Sequence, residues 1–130
     1  MPKNTAQLFN SLSELNSSNI NGYNDANQKV KNNFHRIGKA ALKSLASDLG
    51  YRPQDYRLSS NKAGIAVSGE VVLHTANLYI QISGFSFENS TVLYRTCDHI
   101  KDYTGGRNNH CSIAHAIEEI TSFSKRLSAA

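Results

Sequence analysis

Both cysteines of the chain lie in one short segment, Tyr94 to Cys111, which reads YRTCDHIKDYTGGRNNHC. His99, His110, Arg95, Arg107, Lys101, Tyr103 and a Gly105-Gly106 pair share it, with no hydrophobic period. Four chemistries can be built from such groups. Cys97, His99, His110 and Cys111 are ligand types for zinc, which takes four tetrahedrally, but no CxxC or HxxxH spacing is present and adjacent His110 and Cys111 rarely reach one ion. No metal and no cofactor is therefore expected. Thr104-Gly105-Gly106-Arg107-Asn108-Asn109 precedes a helical pattern, so its backbone N–H groups could meet an anion, with Arg107 as a two-pronged donor. The same residues also make a plain Gly-Asn turn, and neither a P-loop nor a dinucleotide fingerprint is present.

Metal-independent cleavage of RNA or DNA needs a base, an acid and cations for the phosphorane. His99, His110, Arg95 and Arg107 supply those types, with Tyr94, Lys101, His74 and Tyr79 nearby. No fixed spacing singles them out. A cysteine nucleophile is the fourth option, with Cys111 at a helix N-terminus, but no carboxylate is placed to orient a base. Binding then outranks catalysis. The expected contact set is Arg95, Lys101, Tyr103, Arg107, Asn108 and His110.

The flanking elements must position this segment. Leu8, Leu12 and Leu15 predict a helix over 4–16, capped by Asn4 or Thr5. Val30, Phe34, Ile37, Ala41, Leu45 and Leu49 share one face of a longer helix over 25–49, ended by Gly50. On its opposite face Lys29, Arg36, Lys39 and Lys43 cluster without an acidic residue. Such a stripe is ordinarily a solvated face, and it can also track phosphates, so Lys29, Arg36 and Lys43 form a second candidate patch.

Residues 56–96 change to period 2 and to β-formers. Strands are expected at 56–60, 64–75 (with a bulge near Ser68-Gly69), 78–83 and 91–96. In the third, Leu78, Ile80 and Ile82 alternate with Tyr79 and Gln81. Helical spacing returns over 112–127, with Ser112 or Asn109 as cap. The expected fold is α+β in two layers, a four-stranded antiparallel meander packed against helices in the order α-α-β-β-β-β-α.

At 130 residues and 14.3 kDa the chain fits one domain over 1–130, with 1–22 a candidate mobile helical extension. A net charge of +4 and a pI of about 9.2 permit an acidic partner, nucleic acid or protein. No apolar run approaches the ~20 residues of a membrane span, and the first residues lack a secretory core, so a cytoplasmic protein without a membrane partner is expected. Open strand edges could pair across a two-fold axis to give a homodimer.

The stretch SGEVVLHTANLYIQIS at 68–83, followed by VLYRTCDHIKDYTGGRNNH at 92–110, resembles small accessory proteins encoded by bacteriophages and other mobile elements. The resemblance implies a protein that acts by binding host or defence components, and it brings no catalytic residues. The expected function is a small basic protein that recognises an anionic partner: nucleic acid, nucleotide or an acidic protein surface. The alternatives are a metal-independent nuclease and a protein–protein inhibitor.

Overall fold

The structure is a computed structural model that describes residues 4–16, 25–61, 70–83, 92–97 and 108–129. Helix α1 (Thr5–Asn16) starts as its sequence predicts. Asn4 Oδ1 accepts from the Gln7 N–H at 2.9 Å, and Gln7 Oε1 accepts from the Asn4 N–H at 3.0 Å. Two otherwise orphaned donors are thereby satisfied by a reciprocal capping box. Phe9 and Leu12 carry α1 into the core, and the Thr5 hydroxyl ties its first turn to Ser44 and Asp48 of the next helix.

Helix α2 (Asp25–Asp48) ends where Gly50 adopts φ 93°. Tyr51 N–H reaches Ala46 O at 2.9 Å and Gly50 N–H reaches Ser47 O at 3.0 Å, the two bonds of a Schellman stop. Its buried arc is wider than the predicted stripe. Phe34, Ala41 and Leu45 are buried as expected, but so are His35, Gly38, Leu42 and Ala46. Gly38 meets Val71 of the sheet, so the added residues widen the side of α2 that faces the strands, whereas Ser44 and Asp48, which bond to Thr5 of α1, lie on the other flank.

A 3-10 turn at Pro53–Asp55, stitched by Asp55 accepting from the Arg52 N–H and side chain, leads into the sheet. The strands are β1 (Tyr56–Asn61), β2 (Glu70–Thr75), β3 (Leu78–Ser83), β4 (Val92–Thr96) and β5 (Asn109–Cys111). Their spatial order is β1-β2-β3-β4-β5, antiparallel throughout. The expected four-stranded meander is thus a five-stranded one, and the element order is α-α-β-β-β-β-β-α. The added strand lies inside the segment read as a loop. Three residues, Asn-His-Cys, are too few to show a period of two. The predicted beginning of the second strand, with its bulge at Ser68-Gly69, lies outside the described residues.

After β5 a 3-10 turn at Ile113–His115 precedes α3 (Ala116–Ala129), so the last α-helix starts later than its spacing suggests. Ser112 precedes that turn, and its hydroxyl meets His115 Nδ1 at 2.8 Å instead of capping a backbone N–H. Alternation sends Val71, Leu73, Leu78, Ile80, Ile82, Val92 and Tyr94 into one core with Phe34, Leu42, Leu45 and Ile120 from α2 and α3. One sheet face is therefore the helix-covered face. Among the described residues no helix is long and apolar enough to cross a membrane.

Candidate functional site

The other sheet face carries the polar residues. Register aligns Arg57 of β1 with His74 of β2, His74 with Tyr79 of β3, and Tyr79 with Arg95 of β4. Four neighbouring strands thus contribute one transverse row. The Arg95 guanidinium lies 4.3 Å from the Tyr79 ring centroid, a cation–π contact, and Nη1 donates to Thr96 O at 3.1 Å. His74 meets the Tyr79 ring edge-on at 5.1 Å, while the Tyr79 hydroxyl donates to Gln81 Oε1 at 3.0 Å.

This row sits at the end of the sheet where the chain leaves β4 at Thr96 and from which it returns into β5 at Asn109. It therefore adjoins both ends of the Tyr94–Cys111 segment. His74 is only 2% exposed, Arg95 4% and Tyr79 8%, whereas Arg57 is exposed. Groups buried to that extent hold the sheet together; they do not offer an acid, a base or a cation to an incoming phosphate. On the same face, Asn108 and His110 are exposed, with His110 opposite Leu93. His99, Lys101, Tyr103 and Arg107 lie outside the described residues.

β5 decides the geometry of the ligand-type residues. His110 falls on the row's face, and Cys111, paired with Val92, packs against the core. Adjacent strand residues point to opposite faces, so one ion cannot take both. Cys97 is five residues further along β4 than Val92, the partner of Cys111, which separates the two cysteines by roughly 16 Å at a strand rise of ~3.3 Å per residue. A disulfide needs Cα atoms within about 7 Å, and neither cysteine is bridged. Cys97 is buried and donates its Sγ–H to Thr75 O at 3.2 Å.

Cys111 has no activated thiol. Burial and the nearby Glu119 carboxylate push its pKa up from 9.0 to about 11. Burial and the same Glu119, which accepts from the Tyr94 hydroxyl at 3.2 Å, raise Tyr94 as well. Two consequences can be measured. At neutral pH the native Cys111 thiol, read in Cys97→Ala protein, should react with a disulfide reagent at least ~100-fold more slowly than in denaturant, since a two-unit rise leaves about a hundredth of the thiolate. A Cys111 thiol that reacts as fast in the native protein as in denaturant would refute this. Stability should also be level up to about pH 9 and then fall toward about pH 11, because over that window the unfolded thiol sheds a proton that the folded one keeps. Melting curves of the wild type and Cys111→Ala across that range test it: the variant should decline less.

The second patch is on α2. Arg36, Lys39 and Lys43 are all exposed, and Lys29 lies on the same helix with its side chain outside the described set. At 100° per residue, Asn32, Arg36, Lys39, Lys43 and Ser47 occupy an arc of about 80°. Arg36 Nη2 donates to Asn33 Oδ1 at 3.2 Å. This arc points away from the sheet, so the α2 row and the face bearing Asn108 and His110 lie on opposite sides of the molecule. They cannot form one flat contact surface. The row across the sheet was only partly readable in sequence. Lys39 belonged to the helical stripe from the start, whereas Arg57 gave no signal beyond its charge until register placed it beside His74.

No family model matches the chain, and neither do curated proteins or solved structures.

Proposed function

We propose that this is a small binding protein for an anionic partner and that the outer face of α2 is its principal contact surface. The observation that carries the reading is the exposed, acid-free row of Arg36, Lys39 and Lys43 on the helix whose other side builds the core. The helix carries acidic residues at its two ends, Asp25 and Asp48, and none from Ala26 to Ser47, so the row itself is not interrupted by a carboxylate. A rigid element then holds three cations within two turns, a preorganised array that loses little freedom on binding. The net charge of +4 acts in the same direction.

Asn108 and His110 form a separate contact region on the far side of the sheet in this reading; Lys101, Tyr103 and Arg107 of the same contact set lie outside the described residues. Arg95 leaves the contact set because it is buried against Tyr79. The likeness of 68–83 and 92–110 to phage and mobile-element proteins fits an accessory factor that works by binding.

The test is retention on an immobilised polyanion such as heparin. The wild type should be retained at low salt, and R36Q/K39Q/K43Q should elute clearly earlier with an unchanged melting temperature. Equal retention of the two would remove α2 from the contact surface.

A further inference from the structure

We infer that the partner of the α2 row is a nucleic-acid duplex, held by its phosphates without reading its bases; this rests on the anion-binding reading above. The argument comes from what the exposed arc contains and what it lacks.

Its exposed residues are Asn32, Asn33, Arg36, Lys39, Ala40, Lys43 and Ser47. None is aromatic. Binding of single strands relies on aromatic platforms on which successive bases stack, and this arc has no such platform. None is a large apolar residue either. Protein interfaces draw most of their energy from a few buried anchors, chiefly Trp, Tyr and Arg seated in desolvated pockets. Here the single arginine stands among solvated lysines and asparagines, with no pocket wall of its own element beside it.

What the arc does offer is spacing. Arg36 to Lys39 is three residues and Lys39 to Lys43 is four, so the cations rise by roughly 4.5 and 6 Å along the helix axis. A duplex backbone presents a charge about every 3.4 Å of axis on each strand, so such steps can meet separate phosphates of one strand. Asn32 and Ser47, one turn beyond each end, add neutral side chains of the kind that contact phosphate and sugar oxygens. Reading base edges needs a side chain projecting into a groove, and α2 is held flat against α1 and the sheet. The contact is therefore sequence-independent.

Fluorescence anisotropy with two short duplexes of unrelated sequence, oligo-dT and polyglutamate tests this. Both duplexes should bind with affinities within twofold of each other and more tightly than oligo-dT. Three phosphate contacts give a slope near −2.7 in log affinity against log salt, a loss of about 40-fold between roughly 50 and 200 mM salt. Lys43→Gln, at an exposed position, should reduce the slope by about one. A tenfold difference between the duplexes, tighter binding of oligo-dT, or equal binding of polyglutamate would overturn the duplex inference while leaving the anion-binding reading intact. Failure to bind any of these polyanions at low salt would overturn both.

Discussion

Phe34→Ala is expected to lower the melting temperature by roughly 12–20 °C, following from a loss of about 3–5 kcal/mol for a fully buried aromatic and about 4 °C per kcal/mol in a domain of this size. Phe34 has no exposed surface, and it meets the His35 ring edge-on at 5.2 Å. It belongs to the same core as Leu42 and Leu45 of α2, the strand residues Leu73 and Ile80, and Leu12 of α1. A cavity at a position with no exposed surface cannot be filled by water-facing side chains, and the surrounding core relaxes only partly. Set against the ~5–15 kcal/mol that holds a typical domain together, the loss is large. Phe34→Leu should cost much less, since most of the volume is kept. Thermal unfolding of both variants decides the matter. If Phe34→Ala melted within a few degrees of the wild type, α2 would not be seated in the core as described.

Much of this arrangement is legible in the amino-acid sequence. The α2 face, its Gly50 stop and the Asn4 cap each follow from residues three or four apart, where local geometry and sequence report the same thing. The alternation of Leu78, Ile80 and Ile82 is equally local. Even the His74–Tyr79 pairing could be read, because Thr75 and Leu78 flank a two-residue turn, Ala76-Asn77, that leaves one simple register. Arg57 and Arg95 join the same row through longer connections at 62–69 and 84–91, and connections of that length set no register. β5 escaped for a different reason, since three residues cannot display a period. His35 lies one residue from Phe34 and is buried beside it, because the buried arc of α2 is wider than a single stripe of apolar residues announces. The candidate site followed the same rule. The α2 row is a property of one helix and was legible. Whether Arg95 faces a ligand or lies buried beneath Tyr79 depends on four strands meeting, and the sequence of β4 alone carries no trace of it.

Gly38→Leu is expected to destabilise the protein by about 3 kcal/mol, at the upper end of the range for an overpacked core. A Cβ at Gly38 would lie 3.0 Å from Val71 Cγ2 and 3.5 Å from Val71 Cβ. Val71 is itself fully buried on β2, so it has little room to yield. The glycine is therefore the point of close approach between α2 and the sheet, and a leucine there must push the helix off β2. Gly38→Ala separates two effects that oppose each other. Alanine favours a helix interior over glycine by about 1 kcal/mol, and the contact with Val71 costs a comparable amount, so the net change should stay within about 1 kcal/mol. The contact can be isolated by pairing Gly38→Ala with Val71→Ala. Val71→Ala alone removes buried methyl groups and destabilises. In the double variant the new methyl group occupies part of the space that valine vacates, so its destabilisation should fall short of the sum of the two single effects by about 1 kcal/mol. Additive effects within a few tenths of a kcal/mol would mean that Gly38 and Val71 do not touch. The α2–β2 packing, which aims the row of Arg36, Lys39 and Lys43 away from the sheet, would then have to be redrawn.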